Sequence, residues 1–182
     1  IYADGLQLYT TIDSRMQKYA EEAVAEHVGT YLQPAFSKSM KNNKNAPYYS
    51  SIGASKKEEC INSAMRRTER WRVMKKAGFT EDEIIKSFYE KDTMSVFAWE
   101  GDIDTIMTPM DSMLYYKGFL QAGFLSMEPQ TGHVKAYVGG INYMHFKYDN
   151  APKSRRQVGS TFKPFIYCLL MQNGYSPCTK VP

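Results

Sequence analysis

Apolar positions along the chain switch between the two-residue spacing of strands and the three- and four-residue spacing of helices. Residues 6–12 are rich in β-forming residues that alternate along the chain, which predicts a strand. The apolar stripe that follows predicts an amphipathic helix over 14–28. Asp13 and Ser14 offer a cap for this helix, and Gln17 can complete a capping box from Ser14.

The middle of the chain is predicted to be mainly helical. A polar segment over 37–57 indicates an exposed loop, after which helical spacing returns over 58–76. Gly78 stands where the C-terminal cap of this helix belongs. Thr80 and Glu83 form a capping box at the start of a second helix, so the two together predict a helical hairpin.

Two β-hairpins are predicted in the second half of the chain. The first pairs residues 94–99 with 103–108, and the second pairs 124–127 with 134–138. A short helix that begins at Pro109 separates the two hairpins. A loop with two glycines and a basic run follows, and a final helix is predicted near the C-terminal end.

Composition narrows the classes of protein. The 182 residues carry a net charge of +4, too mild to imply nucleic-acid binding, and no run of apolar residues is long enough to predict a membrane span. The first residues have neither Met nor the pattern of a signal peptide, so we expect the chain to be cut from a longer protein. We expect Cys168, in an apolar run, to be buried. Widely spaced cysteines and histidines predict no disulfide framework and no metal site: Cys60, Cys168, Cys178, His27, His133 and His145.

A basic stretch surrounds Trp71. Such a stretch can bind anionic lipid or nucleic acid, or it can be the solvated face of a helix. Glutamates in the same segment dilute its field, so the solvated face is the preferred interpretation. The basic residues are Arg66, Arg67, Arg70, Arg72, Lys75 and Lys76.

The chain contains one S-x-x-K motif, formed by Ser160 and Lys163 at the start of the final helix. Residues three apart lie on one helix face, so a hydroxyl and an amine can meet there. Pro164 would clash with the carbonyl of Ser160 inside a helix, which places Ser160 at the helix start beside free backbone N–H groups. On spacing alone, an ordinary N-cap serine and a solvent-facing lysine are the preferred interpretation.

A catalytic serine needs a base, and a lysine serves as one only when its amine is neutral. Burial or nearby positive charge favours the neutral amine. We expect Phe162, Phe165 and the positive end of the helix to provide that environment around Lys163.

Two stretches, 123–140 and 156–165 (RQVGSTFKPF), closely resemble the transpeptidase domain of class A (bifunctional) penicillin-binding proteins. The opening, 5–13, is similar to the first strand of that domain. The resemblance covers 5–28 and 111–182 of the chain.

The resemblance implies an α/β (α+β) fold, namely an incomplete penicillin-binding transpeptidase fold with a serine β-lactamase-like sheet and flanking helices. We expect strands from both ends of the chain to form part of one sheet, covered by the 14–28 helix and the Ser160 helix. Residues 1–182 would be the N-terminal portion of the transpeptidase domain, with a family-variable helical and hairpin insertion over 30–110.

By this resemblance, Ser160 is the nucleophile that attacks a D-Ala-D-Ala carbonyl or a β-lactam ring, and Lys163 takes its proton. The backbone N–H of Ser160 would form half of the oxyanion hole. Val158 departs from the proline common in the family. The implied partners are peptidoglycan stem peptides and β-lactam antibiotics, with no cofactor, no metal and no nucleic acid. The implied location is the outer face of the cytoplasmic membrane, through an anchor outside this chain.

The family also needs S-x-N and K-T-G motifs after the serine, and the chain contains neither. Tyr148-Asp149-Asn150 imitates one of them but precedes Ser160, so we interpret it as coincidence. We therefore expect the isolated chain to have negligible activity and its substrate-binding residues to be unknown. The alternatives are a β-lactamase, a β-lactam-sensing domain and a non-catalytic scaffold domain of a cell-wall protein.

Overall fold

The computed structural model describes residues 5–180, and the chain divides into two compact units, 1–152 and 153–182. The architecture of the described part is α+β, with helices and two small antiparallel sheets. The first unit contains, in chain order, α1 (Ser14–Val24), a π-helical segment (Ala25–Leu32), α2 (Gln33–Met40), α3 (Ala54–Arg66), α4 (Glu69–Lys76), α5 (Glu81–Ser87), β1 (Asp92–Val96), β2 (Ile103–Met107), α6 (Pro109–Lys117), β3 (Phe124–Met127) and β4 (Val134–Val138). The short α7 (Asn150–Lys153) spans the division, and the second unit contains a 3₁₀ turn (Gly159–Phe162) and α8 (Lys163–Gln172).

The strand predicted over 6–12 is wrong. This segment reaches β4 only near its end, where the Thr11 hydroxyl donates to the Val134 carbonyl at 2.7 Å. Leu8 and Tyr9 are exposed, at 78% and 90% of their surface. A strand requires a ladder of backbone hydrogen bonds, and alternating β-forming residues do not provide one by themselves.

The cap of α1 is Asp13 rather than Ser14. Its carboxylate accepts from the N–H groups of Arg15 and Met16, at 2.9 and 3.2 Å. The capping box predicted between Ser14 and Gln17 is therefore wrong, and the Gln17 side chain bonds to β4 instead.

The helix predicted to end near residue 28 continues to Met40, through the π-helical segment and α2. Gly29 lies inside this helix, and the indole of Trp99 packs against its backbone. A Cβ at Gly29 would lie 2.7 Å from Cε3 of Trp99, far closer than carbon atoms approach. The missing side chain therefore serves close packing and not helix termination. The loop predicted over 37–57 accordingly begins after Met40.

The helix predicted over 58–76 is two helices, because Thr68 interrupts it and its hydroxyl accepts from the Trp71 N–H at 3.2 Å. The cap at Gly78 is confirmed: its N–H bonds to the Lys75 carbonyl, and the next N–H bonds to the Met74 carbonyl. The capping box of α5 is confirmed as well. The helices α3–α6 enclose a buried apolar cluster of Met65, Trp71, Ile84, Phe88 and Met110.

Both predicted hairpins are confirmed, although they form two separate two-stranded sheets. The short helix between them is also confirmed, with Thr108 as its cap. Helix α1 packs on β4, where Ala20, Ala136 and Val138 are buried. The single sheet expected from both ends of the chain is therefore wrong.

An aromatic cluster joins distant parts of the first unit around Phe97. Its ring contacts Trp99 and Phe119 at centroid distances of 5.6 and 5.2 Å, and the rings of His145 and Phe146 at 5.6 and 5.4 Å. The cluster thus ties the hairpin β1–β2 and the end of α6 to the segment that follows β4.

In the second unit, α8 ends as predicted at Gly174, which has a φ of +83°. The expected burial of Cys168 is wrong, because the residue is exposed and has a free thiol. Phe165 and Leu169 are also exposed, at 68% and 60%. The expectation that the Ser160 helix covers the sheet stays a prediction. Within residues 5–180, no helix is both long enough and apolar enough to cross a membrane.

Candidate functional site

The serine and lysine of the S-x-x-K motif lie on a 3₁₀ turn that leads into α8. Gly159 opens this turn with a φ of +50°, and the Lys163 N–H donates to the Ser160 carbonyl. In a 3₁₀ turn, side chains three residues apart eclipse each other with an axial separation of about 6 Å. The backbone therefore directs the Cα–Cβ bonds of Ser160 and Lys163 to the same side of the turn.

Pro164 is accommodated because the α-helix begins only at Lys163. The Ser160 carbonyl, which a continuous α-helix would offer to residue 164, is used by Lys163. Pro164 then stands in the first turn, where its missing N–H costs nothing. The interpretation of Ser160 as the cap of α8 is wrong. The cap position belongs to Phe162, and no side chain there makes a capping hydrogen bond.

The environment of Lys163 differs from the one expected. Ser160 and Lys163 are both exposed, and among the described residues no hydrogen bond joins their side chains. Phe162 and Phe165 contact each other at a ring-centroid distance of 5.7 Å but are themselves 50% and 68% exposed. The expected burial of the amine by these rings is therefore wrong. The described chain supplies the backbone geometry of a serine–lysine pair and does not supply the apolar surroundings that activate it.

Tyr148-Asp149-Asn150 has a structural role in the first unit. The Asp149 carboxylate accepts from the Tyr137 hydroxyl, and this hydrogen bond raises the pKa of Tyr137. The Asn150 N–H and side-chain amide both donate to the Gly139 carbonyl, at 2.7 and 3.1 Å. These hydrogen bonds fix the chain after β4, and Tyr148 and Asp149 border a cavity of about 540 Å³ beside α1.

His145 belongs to a polar cluster that the sequence did not reveal. Its Nε2 lies 2.9 Å from Oδ2 of Asp102, and its Nδ1 lies 3.1 Å from the hydroxyl of Tyr116. That hydroxyl also accepts from the Phe97 N–H at 3.1 Å. The partners stand 43 and 29 residues away, so no motif spacing could indicate the cluster. Within residues 5–180, no group of three or more His, Cys, Asp or Glu side chains could hold a metal ion.

Comparison with known proteins supplies the family. A family model described as the penicillin-binding protein middle domain matches residues 43–120. Penicillin-binding protein 1A of Vibrio cholerae is 26% identical over 211 residues, covering 99% of this chain. Penicillin-binding protein 2D of Bacillus subtilis is 31% identical over 168 residues, covering 90%, and penicillin-binding protein 1A of Aquifex aeolicus is 25% identical, covering 99%.

All of these matches are to penicillin-binding proteins. The chain belongs to class A of that family, which confirms the resemblance drawn from its two ends. It spans 26%, 20% and 24% of the lengths of these three relatives. No solved structure matches the chain. The helices and small sheets of the structure show the α+β class. The transpeptidase fold, and the assignment of 30–110 as an insertion within it, stay predictions.

Proposed function

We propose that the chain contributes the acylated serine of a D,D-transpeptidase that cross-links peptidoglycan. The observation that carries the proposal is the 3₁₀ turn, whose backbone brings Ser160 and Lys163 to the same side of the chain. Gly159 leaves open space before the serine, since a Cβ there would meet no atom within 4 Å. Family membership and the match of the motif to the family pattern support the same assignment.

In the proposed reaction, Oγ of Ser160 attacks the carbonyl carbon of a D-Ala-D-Ala stem while the neutral amine of Lys163 takes the hydroxyl proton. The Ser160 N–H stabilises the oxyanion. The C–N bond breaks, the terminal D-Ala leaves with the proton held by Lys163, and an ester remains on Ser160. The amine of a second stem then attacks this ester and regenerates the serine. A β-lactam ring enters at the first step and stops at the ester.

The remainder of the site is proposed to come from other parts of a longer protein. The chain spans only 20–26% of the lengths of the three relatives that match 90–99% of it, and the Lys163 side chain is exposed. By family resemblance, the longer protein acts on the outer face of the cytoplasmic membrane. The isolated chain is accordingly expected to remain unlabelled by penicillin.

The proposal is tested by labelling the full-length protein with a fluorescent penicillin. Ser160→Ala removes the attacking oxygen and is expected to abolish the covalent label. Ser176→Ala, an exposed serine in the same unit, is the matched control and is expected to label like the wild type. Wild-type labelling of the Ser160→Ala protein would refute the proposal.

The exposure of both motif side chains favours one alternative, a scaffold domain that keeps the family sequence without the reaction. In that case neither the wild-type full-length protein nor its variants would take up the label. A β-lactamase would instead release the label rapidly, so the lifetime of the ester separates it from a transpeptidase.

A further inference from the structure

A concave basic surface lies where α3 meets α4. We call it the basic cleft: it has a volume of about 680 Å³ and is lined by the cationic residues Arg66, Arg67, Arg72, Lys75 and Lys76. Arg70, the remaining cation of the sequence stretch, is not among its lining residues and pairs with Asp92 at 3.3 Å. Five of the six basic residues in the stretch around Trp71 therefore lie on one concave face, although they come from the end of α3, from α4 and from the turn between them.

The turn between the helices builds the cleft. Thr68 ends the first helix and caps the second, so the last residues of α3 stand beside the exposed face of α4. The Trp71 ring is 5% exposed and forms an apolar floor, over which the Arg66 guanidinium lies 5.5 Å from the ring centroid. Arg66 thus makes a cation–π contact with a buried ring while its side chain stays 60% exposed.

The charges inside the cleft do not balance. Glu69 pairs with Arg72 at 2.5 Å, and Glu81 lies 3.2 Å from Arg66 and 3.8 Å from Lys75. Glu69 is thus the one carboxylate among the residues that line the basic cleft, against five cations, and Glu81 reaches two of these cations from outside it. Glu58 and Glu59 line an adjoining surface that shares Arg66 and Arg67. Within residues 5–180, Arg67 and Lys76 have no ion-pair partner.

The excess of cations has a cost to the folded chain. Arg72 and Lys76 are four residues apart on α4, where like charges repel each other, and of the two only Arg72 has a carboxylate partner. Neither side chain contributes to the apolar core in return, since both are exposed. A bound anion would remove this repulsion and supply partners to Arg67 and Lys76.

We propose that the basic cleft binds a phosphomonoester or pyrophosphate group. A carboxylate ligand would compete on equal terms with Glu69 and Glu81, which are already in place. A phosphate with close to two negative charges and several acceptor oxygens can exceed them, and the planar guanidinium of arginine matches such oxygens in pairs. The group can belong to a soluble molecule or to a lipid headgroup, and the assignment is independent of the role of Ser160.

Titration calorimetry of the full chain with inorganic pyrophosphate tests the cleft. Saturable binding is expected, and raising the ionic strength should weaken it. The double variant Arg67→Glu/Lys76→Glu should lose affinity by on the order of tenfold or more, since each tenfold step needs only about 1.4 kcal/mol. Lys41→Glu/Lys44→Glu makes the same change in net charge at exposed positions outside the cleft and should stay within about twofold of the wild type.

Vesicles distinguish the source of the phosphate. Binding to vesicles that contain phosphatidic acid, but not to phosphatidylcholine alone, supports a headgroup as the source. Binding to pyrophosphate alone supports a soluble ligand. The proposal is overturned if neither probe binds, if both double variants lose affinity equally, or if an oligoglutamate peptide binds more tightly than pyrophosphate.

Discussion

The side-chain amide of Gln17 makes two hydrogen bonds to the backbone of Tyr137 at the outer edge of β4. Its Nε2 donates to the Tyr137 carbonyl at 2.9 Å, and its Oε1 accepts from the Tyr137 N–H at 2.8 Å. The Asp13 N–H extends the same edge by donating to the Lys135 carbonyl at 2.9 Å. A glutamine amide carries the donor and the acceptor of a peptide group, so at Tyr137 it makes the two hydrogen bonds that a neighbouring strand would make.

Gln17→Ala is expected to lower the free energy of unfolding by about 2 kcal/mol, because two backbone groups of Tyr137 lose their protein partners at about 1 kcal/mol each. Urea denaturation of the chain measures the change. Lys18→Ala is the control on the same helix, since Lys18 is exposed and only pairs with Glu22 at 3.8 Å; it should change stability by less than about 0.5 kcal/mol. Equal losses in the two variants would contradict the role of Gln17.

Features with local causes were predictable from the sequence. The capping box of Thr80 and Glu83, the glycine cap at Gly78 and both hairpins depend on residues that are close along the chain. The S-x-x-K spacing is local as well, so the separation of Ser160 and Lys163 by one turn could be predicted, whereas their role as a catalytic pair stays a prediction.

Features that depend on distant partners could not be predicted in the same way. Gln17 was expected to cap a helix, and its actual partner stands 120 residues away. Gly29 was expected near a helix end, but it lies inside the helix. The absence of a side chain there is explained by the ring of Trp99, which is distant along the chain. The exposure of Lys163 likewise depends on how the chain packs. Its apolar neighbours in the sequence, Phe162 and Phe165, are themselves exposed and do not bury it.

His145 is expected to contribute to stability, because both of its ring nitrogens have hydrogen-bond partners. His145→Ala removes the bonds to Asp102 and Tyr116 together with the packing on Phe97, and is expected to cost about 2 kcal/mol of unfolding free energy. Thermal unfolding followed by calorimetry measures the loss. The exposed His133 provides the matched control, and His133→Ala should lie within about 0.5 kcal/mol of the wild type. An unchanged melting temperature in His145→Ala would show that the cluster contributes nothing.

Gly29→Ala is expected to destabilise the first unit, although alanine is the better helix former. The added methyl group would overlap the indole of Trp99, and overpacking of this kind costs about 1–3 kcal/mol. Thr30→Ala, at the exposed neighbouring position, should have little effect. Combining Gly29→Ala with Trp99→Leu should cost less than the sum of the two single changes, because the second change removes the overlap. Additive losses would contradict the contact.

Acid is expected to weaken the start of α5. The Thr80 N–H and the Thr80 hydroxyl both donate to the carboxylate of Glu83. These hydrogen bonds, the one from the N–H most strongly, lower the pKa of Glu83 in the folded chain. A carboxyl with a lowered pKa adds stability above its unfolded pKa and loses that contribution as the pH falls through the folded value. The unfolding free energy should therefore decrease on acidification below the ordinary range of glutamate.

Glu83→Gln tests this pH dependence through chemical denaturation at a series of pH values. The variant should be less stable than the wild type at neutral pH, and the difference should shrink in acid because the wild-type carboxylate becomes protonated. Glu90→Gln makes the same charge change at an exposed carboxylate outside the capping box. A gap between the wild type and Glu83→Gln that stays constant with pH would contradict the assignment.

The variant Lys163→Arg distinguishes two roles of Lys163, namely acceptance of the Ser160 proton and simple provision of a positive charge. A guanidinium stays protonated and cannot accept the hydroxyl proton of Ser160, so the rate of penicillin labelling of the full-length protein is expected to fall by about 10²–10⁴-fold. Because Lys163 is exposed in the described chain, the unfolding free energy should not change. Lys180→Arg is the matched control and should label at the wild-type rate. Labelling of Lys163→Arg at the wild-type rate would mean that another group takes the proton, even if Ser160 proves to be the acylated residue.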